Sequence, residues 1–223
     1  MTKIVLIPGL LSDARVFAAI KKGLPHIDWF DFERSASGSL ARWGQEVLSV
    51  TGGRVVLFGH SMGARIALES WAFDSSRVAG LILADFAVDG TVTEKEREGR
   101  DQRVKGAHEN GMSSLLDSWL KPMVAEGFDE NERFKELEHM VLNETPGSHE
   151  QQIEALLNRP NAETYLKEIR CPTLLLVGEE DRWSPPSLHV EIADKVTGSQ
   201  LEVVKRAGHF LPFECPDIVA TLI

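Results

Sequence analysis

The sequence predicts an α/β fold: a mostly parallel central sheet of about six strands, flanked by helices and interrupted by an inserted helical region. Three observations carry this. Short, near-continuous Val/Ile/Leu runs recur along the chain, helical stretches separate them, and one long charged segment without strand-like runs splits the series. Strands covered on both faces need such uninterrupted apolar runs, whereas strands with one wet face alternate.

The first run is Lys3 to Ile7, closed by Pro8-Gly9. Ile27 to Phe32 is a candidate second strand, Leu40 to Val50 reads as a helix, and Val55 to Phe58 is the next buried run. Gly63 to Phe73 reads as a helix again and leads to the run Val78 to Ala84. From Asp89 to Glu168 charged residues dominate, and Met112 to Met123 and Phe134 to Leu142 place apolar residues at helical spacing. Breaks at Gly127, Pro146-Gly147 and Pro160 divide this segment into roughly four short helices. The strand pattern resumes after Pro172 with Thr173 to Val177 and Leu201 to Val204. We therefore expect a core of residues 1–88 and 169–223 and a helical insertion of residues 89–168. Right-handed crossovers put the turns that follow the strands on one edge of the sheet, where sites of open α/β folds lie.

Composition narrows the function classes. The 223 residues fit one large domain, and 43% hydrophobic with 26% charged residues is an ordinary globular balance. A net charge of −10 argues against nucleic acid or an anionic membrane as partner. Ile4 to Ile7 is too short for the apolar core of a signal peptide, and no run of about 20 apolar residues occurs for membrane insertion. Cys171 and Cys215 are each followed by proline and show no C-x-x-C spacing, so both are expected as reduced, structural thiols. A cytoplasmic location follows as an expectation. The histidines His26, His108, His139, His149 and His189 lack metal-ligand spacing, and no phosphate-binding glycine fingerprint occurs, so neither metal nor cofactor is expected. Oligomeric state is not encoded in these features.

The chemistry concentrates in Gly59-His60-Ser61-Met62-Gly63, directly after the run Val55 to Phe58 and directly before a helix. A tight strand-to-helix turn of this kind holds a serine in a strained conformation and needs glycine where side chains would collide with backbone. The following helix aims its amino end at the reacting carbonyl, so the N–H of Met62 is placed to stabilise an oxyanion. Serine is a weak nucleophile until a base accepts its proton and a third group orients that base. His209, in Ala207-Gly208-His209-Phe210 after the last strand, is the candidate base, and Asp181, in Gly178-Glu179-Glu180-Asp181 after the preceding strand, is the candidate acid. His60 and Arg65 flank the serine and are expected to support the turn. Glu179, Glu180 and Asp85 are rival carboxylates near strand ends.

Together, Gly59 to Gly63, the G-x-x-D turn followed by Pro185, and the late Gly208-His209 resemble the α/β-hydrolase superfamily over nearly the whole chain. The resemblance implies a sheet without the family's first two strands. It also implies that Ile7-Pro8-Gly9-Leu10-Leu11 is the oxyanion loop, with the N–H of Leu10 as second donor beside Met62. Pro8 stands where the family commonly has histidine, and Glu33-Arg34-Ser35-Ala36-Ser37 replaces its usual Arg-Gly-His-Gly turn. Some members supply the acid from the position of Asp85, which keeps that residue open beside Asp181.

A serine in this turn implies acyl transfer, and the expected reaction is hydrolysis of a carboxylic ester of a small or medium apolar substrate. Lactone, thioester and diketone carbon–carbon hydrolysis use the same groups, and a non-catalytic ligand receptor on the same scaffold is a different class of reading. Leu11, Trp119, Trp183 and Phe210 are the expected substrate contacts, with Leu10 beside them. In the insertion, Met112, Leu115, Leu116, Leu120 and Met123 either join Trp119 in an acyl pocket or pack helices together.

Overall fold

A computed structural model describes residues 2–36 and 38–223, so Ser37, the last residue of the turn singled out above, lies outside the described residues. Six strands form the sheet: β1 (Lys3–Ile7), β2 (Trp29–Asp31), β3 (Val55–His60), β4 (Val78–Ala84), β5 (Thr173–Gly178) and β6 (Gln200–Val204). All neighbouring pairs are parallel, in the order β2-β1-β3-β4-β5-β6, as the buried runs predict. Val5, Leu6, Ile7, Leu57, Phe58, Leu175 and Leu176 are completely shielded, which is what strands covered on both faces require.

Between the strands run α1 (Ala18–Gly23), α2 (Leu40–Val50) and α3 (Met62–Phe73). After the fourth strand come α4 (Glu94–Asn110), α5 (Phe134–Asn143) and α6 (Pro146–Leu157), then α7 (Pro186–Lys195), α8 (Leu211–Glu214) and α9 (Pro216–Leu222). Helix α2 packs on α3, and α1 packs on α9. The path from β1 runs outward to β2 and then returns past β1 to β3, so the crossover direction reverses between β1 and β3. Right-handed crossovers then put α1 and α2 on opposite faces, which opens a crevice at the carboxyl ends of β1 and β3. Ser61 and the Pro8–Ser12 loop sit at those two ends.

The helical region between β4 and β5 departs from the expected pattern in two places. Glu94–Asn110 is one helix of 17 residues, capped by the Thr93 hydroxyl accepting from the Glu96 N–H and ended by Gly111 at φ 79°. Only Arg100 and Ala107 on it are buried, so it carries no apolar stripe for a period search to find. Conversely, the apolar spacing of Met112 to Met123 does not make an α-helix: a π turn over Leu116–Leu120 passes into a 3-10 turn over Lys121–Met123. Pro122 lacks the N–H that a regular helix needs there. Among the described residues no helix is long and apolar enough to cross a membrane.

Candidate active site

Ser61 occupies the turn between β3 and α3 with φ 54° and ψ −116°, a left-handed conformation that costs a non-glycine residue about 1–3 kcal/mol. Its neighbours make that turn possible. A Cβ on Gly63 would lie 1.9 Å from the Ile7 carbonyl oxygen, and one on Gly59 would lie 2.5 Å from the Ala64 nitrogen, so backbone atoms of β1 and α3 exclude any side chain. The Ser61 N–H donates to the Ala84 carbonyl at 2.8 Å, tying the turn to the end of β4.

The structure brings Ser61, His209 and Asp181 into one hydrogen-bonded chain. Ser61 Oγ lies 2.8 Å from His209 Nε2, and His209 Nδ1 lies 2.8 Å from Asp181 Oδ2. Asp181 accepts only, so Nδ1 carries the proton and Nε2 is left to accept from the serine hydroxyl. Asp181 also accepts from the N–H groups of Trp183 (2.8 Å) and Ser184 (2.9 Å) and from Ser184 Oγ (2.6 Å). Burial alone would raise its pKa, but the charge on His209 and the hydrogen bonds from His209 and Ser184 bring it down to about 2. His209 is held from both sides: its N–H donates to the Met123 carbonyl at 2.7 Å, and the N–H groups of Gly208 and Phe210 donate to Glu214 at 3.0 and 2.9 Å. Ser184 and Glu214 carry no sequence motif and become visible only through these contacts.

None of the rival carboxylates hydrogen-bonds His209 among the described residues. Asp85 is fully buried at φ 53°, accepting from the N–H groups of Gly178 (3.0 Å) and Leu211 (3.2 Å). Burial and the nearby Asp181 charge push its pKa well above the carboxylate range. Glu180 accepts from the Glu126 N–H, and Glu179 makes no side-chain hydrogen bond among the described residues. His60 donates from Nε2 to the His209 carbonyl at 2.6 Å, and burial with the neighbouring His209 lowers its pKa to about 3, so it stays neutral.

The Pro8–Ser12 loop is fixed by two groups. Arg34 donates to the Pro8 carbonyl (2.9 Å) and the Ser12 carbonyl (3.3 Å), and Gln152 Oε1 accepts from the Leu11 N–H at 3.0 Å. Arg34 thus supplies the contacts of the unusual turn after β2. The N–H groups of Leu10 and Met62 make no hydrogen bond among the described residues, and both residues line the cavity at Ser61. Leu11 is a correction: expected at the pocket, it is 1% exposed at φ 52° and packs into the core behind the loop.

The cavity at Ser61 measures about 330 Å³, the size of a small-molecule site. Trp119, Trp183 and Phe210 line it, with Phe86, Met123 and Leu156 completing an apolar wall. Met112, Leu115, Leu116 and Leu120 do not line it, and all four pack into the core or against it. The rest of the lining is polar and was not announced by the sequence: Arg65, Arg100, Arg159, Asp89 and Glu96, with the exposed Arg182. A second hollow of about 500 Å³ lies beside Arg34 and Gln152, without Ser61 in its lining. Among the described residues no group of three or more His, Cys, Asp or Glu is arranged to hold a metal ion.

Comparison with known proteins concerns the family and the fold. The model of the alpha/beta hydrolase family matches residues 4–222. A curated relative, 2-hydroxy-6-oxononadienedioate/2-hydroxy-6-oxononatrienedioate hydrolase 2 of Pseudomonas putida, is 26% identical over 170 residues, covering 72% of this chain. The chain spans 58% of that relative's length in the match. Among solved structures, a thermophilic esterase from Thermogutta terrifontis superposes with a TM-score of 0.89 at 23% identity, covering 100% of this chain and 88% of its own. The enol-lactonase of Burkholderia xenovorans LB400 does so with a TM-score of 0.86 at 18% identity, covering 99% and 89%. At these identities the two structures establish a shared fold.

Proposed function

The chain belongs to the alpha/beta hydrolase family, and on that premise we propose that it is a serine hydrolase that cleaves a carboxylic ester of a small molecule through an acyl-enzyme. The observation that carries the reading is the chain Ser61–His209–Asp181, with both links at 2.8 Å, opening into a cavity beside two unengaged N–H groups.

In this mechanism Ser61 Oγ attacks the ester carbonyl as His209 Nε2 takes its proton. Asp181 keeps its negative charge beside the imidazolium and stabilises it. The carbonyl oxygen becomes an oxyanion held by the N–H groups of Leu10 and Met62, donors that are already unpaired and need no reorganisation. Collapse expels the alcohol, protonated by His209, and leaves the acyl group on Ser61. A water deprotonated by His209 then attacks the acyl-enzyme and frees the acid. The apolar wall of Trp119, Met123, Leu156 and Phe210 suits the hydrocarbon part of the substrate. Elements between β4 and β5 supply that wall in part, so we propose that residues 89–168 act as the cap of the site. The likeness to an enol-lactonase makes lactones the second reading, because the same attack opens a cyclic ester. The free thiols of Cys171 and Cys215 support a cytoplasmic location.

The test is release of p-nitrophenol from acetate, butyrate and octanoate esters by wild type, Ser61→Ala, His209→Ala and Asp181→Asn, each checked for folding. Wild-type turnover that falls about 10³-fold or more in each variant is the expected result. Equal rates in wild type and Ser61→Ala would remove Ser61 from the reaction. Near-normal Asp181→Asn would remove the assigned acid.

A further inference from the structure

The polar wall of the Ser61 cavity carries more positive charge than its own carboxylates neutralise. Arg65, Arg100, Arg159 and Arg182 line it against Asp89 and Glu96, in a chain whose net charge is −10. Asp181 is committed to His209, and the two Asp85 oxygens are taken up by the N–H groups of Gly178 and Leu211.

The four guanidinium groups are not equivalent. Arg159 is saturated: its nitrogens donate to the Asp89 and Thr91 carbonyls, the Asp89 carboxylate, both Glu96 oxygens and the Leu156 carbonyl. Arg100 uses only Nε, on Glu96 at 3.0 Å, and its two terminal nitrogens make no hydrogen bond among the described residues. Arg65 donates from Nη1 to the Asp89 carbonyl at 3.1 Å and its Nη2 lies 3.6 Å from the Asp89 carboxylate, while its Nε makes no hydrogen bond among the described residues. Both side chains are nonetheless nearly enclosed, at 6% and 9% exposure. Burial, with Arg159 and Arg100 nearby, presses the Arg65 guanidinium down to about 10, so it remains charged at neutral pH. Enclosed cations with open donors are costly unless something complementary occupies the space they face.

Position identifies what that is. Arg65 follows Ser61 by four residues, its backbone N–H donates to the Ser61 carbonyl at 3.4 Å, and both residues line the same cavity. Arg100 additionally sits over the Trp183 ring, its Cζ 5.5 Å from the centroid, a cation–π contact that helps hold the guanidinium at the cavity. We propose that Arg65 and Arg100 form a subsite for a carboxylate on the substrate, so that the enzyme acts on esters or lactones carrying an acid group a few carbons from the reacting carbonyl. A single-charged carboxylate is the fitting group, because Asp89 and Glu96 stand in the same wall and repel a phosphate dianion harder. The exposed Arg182 favours approach of such an anion. The proposal rests on the serine-hydrolase reading for its chemistry, but binding of the anion is separable from turnover.

Two measurements separate them. The first compares kcat/KM of wild type on mono-p-nitrophenyl glutarate and on p-nitrophenyl pentanoate, which share chain length and differ by the carboxylate. A preference of about 10- to 100-fold for the acid ester is expected, shrinking toward unity in Arg65→Gln and in Arg100→Gln and falling as salt rises from 0.05 to 0.5 M. The second titrates Ser61→Ala with monomethyl glutarate and with dimethyl glutarate by calorimetry, and only the monoacid is expected to bind. Equal kcat/KM values in wild type, or equal binding of the two methyl esters, would overturn the proposal and leave the arginines as a latch between the helical region and the core. If wild type turned over neither ester, the hydrolase reading would fail while the titration still decided the subsite. If the variants misfolded, the wild-type ratio and its salt dependence would decide.

Discussion

Ser184 shows how much a single hydroxyl contributes at the residue scale. It supplies one of the four hydrogen bonds on the Asp181 carboxylate, at 2.6 Å, and its oxygen sits 3.4 Å from His209 Nδ1. Each of those bonds favours the ionised form, so Ser184→Ala raises the Asp181 pKa from about 2 toward the unfolded value near 3.8. Asp181 stays ionised at pH 7, and the loss therefore reads as looser orientation of His209. We expect kcat on a p-nitrophenyl ester to fall about 3- to 10-fold with KM unchanged, and stability at pH 7 to fall by about 1–2 kcal/mol. The sign follows from a depressed acid: its contribution is full above pH 3.8 and is lost as pH falls through the folded value, so the stability gap narrows only in strong acid. A kcat equal to wild type would show that the three remaining bonds orient the imidazole alone. Ser61, His209 and Asp181 were legible in the sequence because each sits in a short turn directly after a strand, where local pattern and position in the sheet coincide. Ser184 was not, because its role depends on which way a turn folds back. Arg100 was not either, because its partner wall comes from elements distant in sequence.

At the scale of elements, legibility followed periodicity. The buried strands announced themselves as apolar runs, and the switch in crossover direction placed the Ser61 turn beside the Pro8–Ser12 loop without any side-chain information. Helix α4 escaped because its faces are charged nearly all round, and Met112 to Met123 misled because apolar spacing survives in a π turn that Pro122 prevents from being regular. Beside the His209 N–H on the Met123 carbonyl, the contact between this region and the His209 loop runs through Glu214, whose carboxylate accepts the N–H groups of Ala125 (2.8 Å), Gly208 (3.0 Å) and Phe210 (2.9 Å). In Glu214→Gln one carboxylate oxygen becomes an NH₂ facing a backbone N–H. That leaves at least one buried donor unpaired, and we expect a loss of about 2 kcal/mol in chemical denaturation. Because His209 lies between Gly208 and Phe210, the same substitution is expected to lower kcat about 10-fold or more on the ester that wild type cleaves best. A variant that lost stability but kept wild-type kcat would show that the Met123 carbonyl holds His209 without help from Glu214.

At the scale of the whole molecule, buried histidines are expected to couple stability to pH. His60, His149 and His189 are at most 1% exposed, and burial is the leading cause that lowers their pKa values to about 3, 4 and 4. The unfolded chain protonates these groups near 6.5, so it binds more protons than the folded protein between that value and the folded pKa. Stability from a neutral buried histidine is therefore present above pH 6.5 and is lost as pH falls toward the folded value, by about 1.4 kcal/mol per pH unit for each group. Asp85 and Glu214, whose burial raises their pKa values, work in the opposite sense, so the total slope is a difference. His189 isolates one term. Its Nε2 accepts the Phe86 N–H at 3.2 Å and its Nδ1 donates to the Pro185 carbonyl at 3.3 Å, joining the end of β4 to α7. His189→Gln removes the titration and leaves every other group in place. The variant is expected to be less stable than wild type at pH 7.5 by about 1–2 kcal/mol. That gap should close by about 1.4 kcal/mol for each unit below 6.5, measured as urea midpoints at pH 7.5, 6.5, 5.5 and 5.0. A gap constant across that range would mean that His189 gains its proton in the folded protein as readily as in the unfolded chain, and that the pocket between β4 and α7 admits the charge.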